Sequence, residues 1–243
     1  MLALVVIGAA LAGFVQGLSG FAFGLVALAF WAWALDPVVA GSLVVLGSLV
    51  GQLMGVPLMR LAALPRALPF IAGGALGVPL GVTLLSRVDP LLFQAGLGTL
   101  LVLWCPLMLA SGKLPRITHG GRVADGVAGL AGGFMGGLAG VPGPVPTLWC
   151  TLRGWERPVQ RAVFQYFNLS MHVLTTTGLI VSGQLRREAL SLCLMVVPVV
   201  VVTAILGART YRKLGDLGFQ RVVLALLALS GVTMLLHSLP HLL

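Results

Sequence analysis

Residues 2–35 form one apolar run, longer than a single membrane helix needs and too rich in glycine to be one. Its middle reads GFVQGLSGFAFG, from Gly13 to Gly24, with four glycines and Ser19. Each glycine costs about 1 kcal/mol against alanine inside a helix. The run therefore predicts two shorter helices meeting at a backbone-exposed tip.

A soluble domain carries about 25% charged residues. This chain of 243 residues carries 9%, with 58% hydrophobic residues and a mean hydropathy of +1.07. It reads as an all-α integral membrane protein. The net charge of +9 comes from basic residues between apolar segments. That suits loops meeting anionic headgroups, and nucleic-acid binding is not needed to explain it. The start MLALVVIG has no basic stretch, so a cleaved signal peptide is not expected. Cys105, Cys150 and Cys193 lie in apolar segments without CxxC spacing and read as core filling. No metal or cofactor is expected.

The apolar segments run over 2–35, 38–59, 67–86, 90–110, 124–152, 158–182, 188–210 and 217–239. A polar interruption, Ser111 to Asp125, divides them four and four. GFVQGLSGFAFG at Gly13 aligns with GFMGGLAGVPGP at Gly133, an offset of 120, and DPVVAG at Asp36 answers ERPVQRA at Glu156. Gly81 with Phe93-Gln94 is matched by Gly207 with Phe219-Gln220, an offset of 126. The pattern predicts two tandem-duplicated halves, 1–112 and 124–243, joined by a basic cytoplasmic linker, 113–123.

Loop charges address whether the glycine-broken segments, 2–35 and 124–152, cross or turn back. If all eight segments cross, the Lys and Arg residues split 8 against 7. If both are hairpins, the split is 12 against 3, with only Arg87, Arg186 and Arg187 opposite. The second is a strong positive-inside bias. It leaves three crossings per half, which inverts the second half relative to the first, a common transporter design. Both termini are then expected outside the cytoplasm.

In that arrangement the tips enter from opposite faces and meet near the midplane. Non-helical backbone at that depth is tolerated where it lines a cavity or is buried in protein. N–H groups at half-helix N-termini, aided by the dipole, favour an anion. The candidate donors surround Ser19-Gly20-Phe21 and Ala139-Gly140-Val141, with the Ser19 hydroxyl. Gln16, Gly17, Gly137 and Gly143 complete the tips. The plainer reading is that the glycines permit close helix packing.

Arg161, Gln165, Asn168 and His172, spaced 4, 3 and 4, share one helical face, continued by Thr175 and Thr176. Such a stripe faces the bundle interior or a water-filled path. The matching first-half helix offers Ser42, Ser48 and Gln52. All six acids sit at segment ends, which argues against a carboxylate-based proton pump or an acid-ringed cation channel. An anion leaving a negative interior gains about 2.3 kcal/mol per charge per 100 mV, so export needs no coupling residue. Trp31, Trp33, Trp149 and Trp155 are expected as interface anchors.

An enzyme reading competes. GLSG places Ser19 at membrane depth, and His172 is available as a base, the dyad of a rhomboid-type protease. The second copy puts Ala139 where the serine stands and keeps the glycines. A channel-like anion facilitator is the other alternative.

At these residues the chain resembles the TauE/SafE sulfite exporter family, also called the toluene-sulfonate uptake permease family. Its halves each open with a segment resembling G-F-x-x-G-x-x-G-x-G-G-G. The first copy here departs from it at Phe21 and Phe23, the second at Pro142 and Pro144. The resemblance covers essentially the whole chain. It implies secondary transport, not an enzyme, of a sulfur-containing or organic anion such as sulfite or a sulfonate across the bacterial inner membrane. The expected partners are that small anion and the lipid bilayer, with a homodimer compatible.

Overall fold

The computed structural model describes residues 1–242 apart from 21, 57–60, 111–115, 118 and 212–215, and describes the backbone alone for 61, 157, 211, 216–223, 226 and 242. The described residues are helical with short connections. The helices are α1 (Leu2–Ser19), α2 (Phe23–Trp31), α3 (Pro37–Gly55), α4 (Leu64–Leu85), α5 (Pro90–Ala110), α6 (Gly121–Ala139), α7 (Pro144–Leu152), α8 (Arg157–Val181), α9 (Arg187–Tyr211) and α10 (Asp216–Leu242). A 3-10 turn, Leu61–Ala63, precedes α4.

Acid-proline pairs start the helices that follow short loops. Asp36 Oδ1 accepts from Val38 N at 3.0 Å ahead of Pro37, and Asp89 Oδ1 accepts from Leu91 N at 2.8 Å ahead of Pro90. The carboxylate occupies an N–H left open by the first turn, and proline has none to lose there. Among the described residues α1, α3, α4, α5 and α9 are long and apolar enough to cross a membrane.

Both glycine-broken segments fold back on themselves. Trp31 Nε1 donates to Val5 O at 3.1 Å, bringing the end of α2 beside the start of α1. Trp149 Nε1 donates to Asp125 Oδ1 at 2.6 Å, and Ile117 N to Leu152 O at 2.8 Å, which does the same for α6 and α7. Trp31, completely buried, and Trp149 therefore pin the hairpins from inside. This corrects their expected place at the interface; Trp33, 40% exposed, is the tryptophan that faces outward. Trp149→Phe leaves the buried Asp125 carboxylate short of a donor. It is expected to destabilise the protein by about 2 kcal/mol, read as a lower unfolding midpoint in detergent.

Each hairpin packs against the other half. Along α1 and α9, Gly13 meets Val200 and Gly17 meets Ala204 and Ala208, so these helices run the same way. Along α4 and α6, Phe70 meets Gly129, Gly74 meets Gly133, and Val78 meets Gly137, again in the same direction. These are backbone-to-backbone contacts. A Cβ on Gly133 would lie 2.5 Å from Gly74 Cα, closer than carbon atoms pack. The small-residue reading of the glycines thus holds for Gly17, Gly133 and Gly137.

Arg186 pairs with Asp36 at 3.2 Å, Gln184 Nε2 donates to Val82 O, and Gln94 Nε2 donates to Ala32 O. One face therefore collects the starts of α3, α5 and α9 and the ends of α4 and α8. We call it the Asp36 face and its opposite the Arg66 face. Cys105 and Cys150 are buried free thiols and Cys193 is partly buried, as core filling requires.

Candidate functional site

Each hairpin turns at a glycine in the left-handed region, Gly20 at φ 85° and Gly140 at φ 69°, 120 residues apart. A side chain at such φ costs about 1 kcal/mol or more, which explains glycine there. Among the described residues, the turn uses up donors expected to be free. Gly20 N donates to Gln16 O at 2.7 Å, Gly140 N to Gly136 O at 2.8 Å, and Val141 N to Met135 O at 3.4 Å. The Ser19 hydroxyl donates to Val15 O at 2.8 Å and accepts from Ala22 N at 3.2 Å. The donor role assigned to these groups is therefore corrected: they close the last turns of α1 and α6, as a helix C-cap does. Phe21 lies outside the described residues. Phe23, weighed for an apolar wall, is fully buried in the space opposite Gly47 and stacks edge-on to Trp31 at 5.9 Å.

The first tip is stitched to its neighbours by amides. Gln16 Nε2 donates to Ser48 O at 3.2 Å, Gln52 Nε2 to Gly20 O at 3.0 Å, and Gln165 Nε2 to Gln52 O at 2.7 Å. These bonds tie α1, α3 and α8 together at the Gly20 carbonyl. The Arg161 guanidinium lies alongside: a Cβ on Gly20 would be 3.7 Å from its Nε.

The second tip sits higher on α3. Gly140 abuts Val44 and Val45, where Gly20 meets Gln52. That separation is about 11 Å along a helix. The tips therefore overlap side by side rather than meeting end to end at one level. Their contact is Gly24 against Val141 and the Gly140 carbonyl. Gly143 caps α7, accepting from Thr147 N at 3.0 Å and Thr147 Oγ1 at 2.7 Å.

Further along α8, Asn168, His172 and Thr175 are buried and carry side-chain atoms with no hydrogen-bond partner. Asn168 is 2% exposed and neither its Nδ2 nor its Oδ1 is hydrogen-bonded. His172 is 3% exposed with Nδ1 unbonded, and the hydroxyls of Thr175 and Ser42 are alike. The placement of His172 follows from its helix. α3 and α8 run in opposite directions, meeting at Gln52–Gln165 near one end and at Asp36–Arg186 near the other, so seven residues on from Gln165, His172 is level with Val45, a residue that Gly140 abuts. The first tip has its amide latch, with Gln16 Oε1 and Gln52 Oε1 left unbonded; the stretch of α8 near the level of the second offers an imidazole and an amide with open valences. Buried polar groups are normally bonded, so such a cluster marks a place that a polar ligand or water satisfies.

The family model described as Sulfite exporter TauE/SafE matches residues 5–234. The chain belongs to the TauE/SafE sulfite exporter family. It is thus a multi-pass membrane protein of a transporter family, as its apolar helices also indicate. No curated protein and no solved structure matches it.

Of the residues expected at a TauE/SafE anion site, the fold brings together two groups. Gln16, Ser19, Gln52, Arg161 and Gln165 lie about Gly20 at the first tip, whereas Gly140, Val141 and Gly143 form the second turn, with Asn168 and His172 buried on α8 near the level of the α3 residues that touch Gly140. Gly17 and Gly137 lie outside both, in helix contacts. Two cavities, of about 240 and 320 Å³, lie elsewhere along α4, one against α8 and one beside Arg122. Ser42, Asn168, His172 and Thr175 are all buried. Of these, Thr175 and Ser42 were visible as polar interruptions, but nothing local said they lack partners.

Proposed function

We propose that this protein is a secondary transporter that exports a small anion of the sulfite or sulfonate class, bound beside the second hairpin tip. The observation that carries this is the set of buried, unbonded polar atoms on Asn168, His172 and Thr175 of α8 and Ser42 of α3, the two helices that run past the second tip. Its donors are an amide NH₂, two hydroxyls and an imidazole, in a region without carboxylates. That is an anion's coordination set. The first tip, latched by Gln52, serves as the fixed wall of the site, and Arg161 draws anions to its mouth.

The reading includes inverted halves. The parallel pairing of α1 with α9 and of α6 with α4, and the opposed directions of α3 and α8, support it. Rocking of one half against the other then opens the buried site to alternate faces. Arg66, Arg122, Arg153, Arg161 and Arg209 gather toward the Arg66 face, against Arg87, Arg186 and Arg187. The Arg66 face is accordingly cytoplasmic. A single cysteine at Gly183 should react with an impermeant maleimide in intact cells, and one at Glu156 only after permeabilisation. The reverse pattern would discard the orientation.

The anion claim is tested by thermal shift of purified protein against sulfite, thiosulfate, methanesulfonate, carboxylates, sodium and neutral sugars. A rise in unfolding temperature of several degrees is expected with the sulfur oxyanions alone. Saturation at a hundred times the dissociation constant stabilises by about 2.7 kcal/mol. Stabilisation by cations or neutral solutes only would overturn it.

A further inference from the structure

Placing an anion beside Gly140 puts an uncompensated charge deep in a bundle, and that is costly unless something neutralises it. The groups facing this position settle what is available. Along its membrane length α8 carries Arg161, eleven residues or about 16 Å from His172. The helices α3, α4, α6 and α7 and the uncharged 3-10 turn Leu61–Ala63 pack on α8. Neither α3 nor α7 has a charged side chain, and α4 has none after Arg66. The charged side chains of α6 are Arg122 and Asp125 near its start. Asp125 accepts from Trp149, and it is fifteen residues from Gly140. Cys150 on α7 is buried among the hairpin contacts. The first tip contributes backbone and Gln52, whose Oε1 is itself unbonded. His172 is therefore the titratable group at the second tip, on the position where the first half holds an uncharged glutamine.

We propose that anion binding at the second tip takes up one proton, and that His172 receives it. This rests on the anion reading above. The imidazole has an unbonded Nδ1 and no neighbouring carboxylate, so in the empty site nothing favours its charged form. An anion placed beside it does, and by reciprocity the proton favours the anion. The balance is simple: A⁻ plus H⁺ plus neutral His172 gives the imidazolium–anion pair, with no covalent change. A divalent oxyanion then crosses with one net negative charge. A monovalent sulfonate crosses with none, and the membrane potential does not drive it.

The sign follows from linkage. The bound state holds more protons than the free state, so affinity rises as pH falls, by up to tenfold per unit. The experiment is isothermal titration calorimetry of the detergent-solubilised protein with methanesulfonate, which has no proton of its own to exchange near neutral pH. It is run between pH 7 and 8 in two cationic buffers of different ionisation heat. The native protein is expected to take up close to one proton per anion bound. His172→Gln, the residue of the equivalent first-half position, should take up none and bind with an affinity that no longer varies with pH. Binding by the native protein without proton uptake would overturn this inference and leave the anion site standing. Uptake that persists in His172→Gln would overturn the assignment to His172. No binding of methanesulfonate, sulfite or thiosulfate at any pH would overturn both readings. The native measurement stands alone if the variant fails to fold.

Discussion

Gly133→Leu is expected to yield no folded protein. A Cβ at this position falls on the Gly74 backbone, at 2.5 Å from its Cα and 2.7 Å from its carbonyl carbon. Backbone cannot swing aside as the end of a side chain does. The only relief is separation of α4 from α6 along a contact that Gly129 and Gly137 share. Dispersion contacts along both helices are lost with even an ångström of gap. The cost belongs with the exceptional substitutions, above about 4 kcal/mol, against a total stability of about 5–15 kcal/mol. Extraction and size-exclusion chromatography should find the variant aggregated or degraded. Gly96→Leu is the control. Gly96 is on α5 with nothing within 4 Å of an added Cβ, so it should behave as the native protein or gain slightly in helix propensity. Equal tolerance at both positions would show that α4 and α6 do not pack as described.

Asn168→Leu should separate stability from function. Its amide is buried with both polar atoms unbonded, a state that costs about 1–3 kcal/mol of desolvation. Leucine has the same heavy-atom branching, somewhat more bulk and no polar atom. The unfolding midpoint is therefore expected to rise by about 2–12 °C, on a scale of 2–4 °C per kcal/mol for a domain this size. Anion-dependent stabilisation and export from loaded vesicles should fall by about ten- to a hundredfold, the worth of a hydrogen bond to a charged ligand. A residue kept for interhelical packing would lose stability on this change and keep transport. A protein that gains stability and loses transport has the signature of a site held unsatisfied for its ligand.

Much of the architecture was legible because it is local. The apolar segment 90–110 coincides with α5, and the break in 2–35 falls at Gly20, where α1 ends. The similarity of GFMGGLAGVPGP to GFVQGLSGFAFG pointed to Gly140, where α6 ends in a left-handed glycine. What the sequence could not carry is where a donor points. Gly20 N–H looks free in a list of residues, yet a left-handed glycine after a helix returns it to the carbonyl four residues back. Trp31 and Trp149 have the composition of interface anchors; only the fold reveals Val5 and Asp125 beneath them. The glycines of α6 showed close packing in their spacing, but not that α4, in the other half, is the partner. The open valences of Asn168 and His172 are likewise a property of what does not reach them.

The exchange of hairpins between halves bears on how the chain is made. α1 leaves the ribosome first, but the helix its glycine face fits, α9, begins at Arg187. For most of synthesis that face has only lipid or the insertion machinery against it. α4 waits for less time, since α6 begins at Gly121. The second hairpin is thus seated while the chain is still growing, and the first is seated near the end. Each hairpin rests on both halves, so a chain cut in the 113–123 linker would still need both pieces present before either hairpin is fully packed.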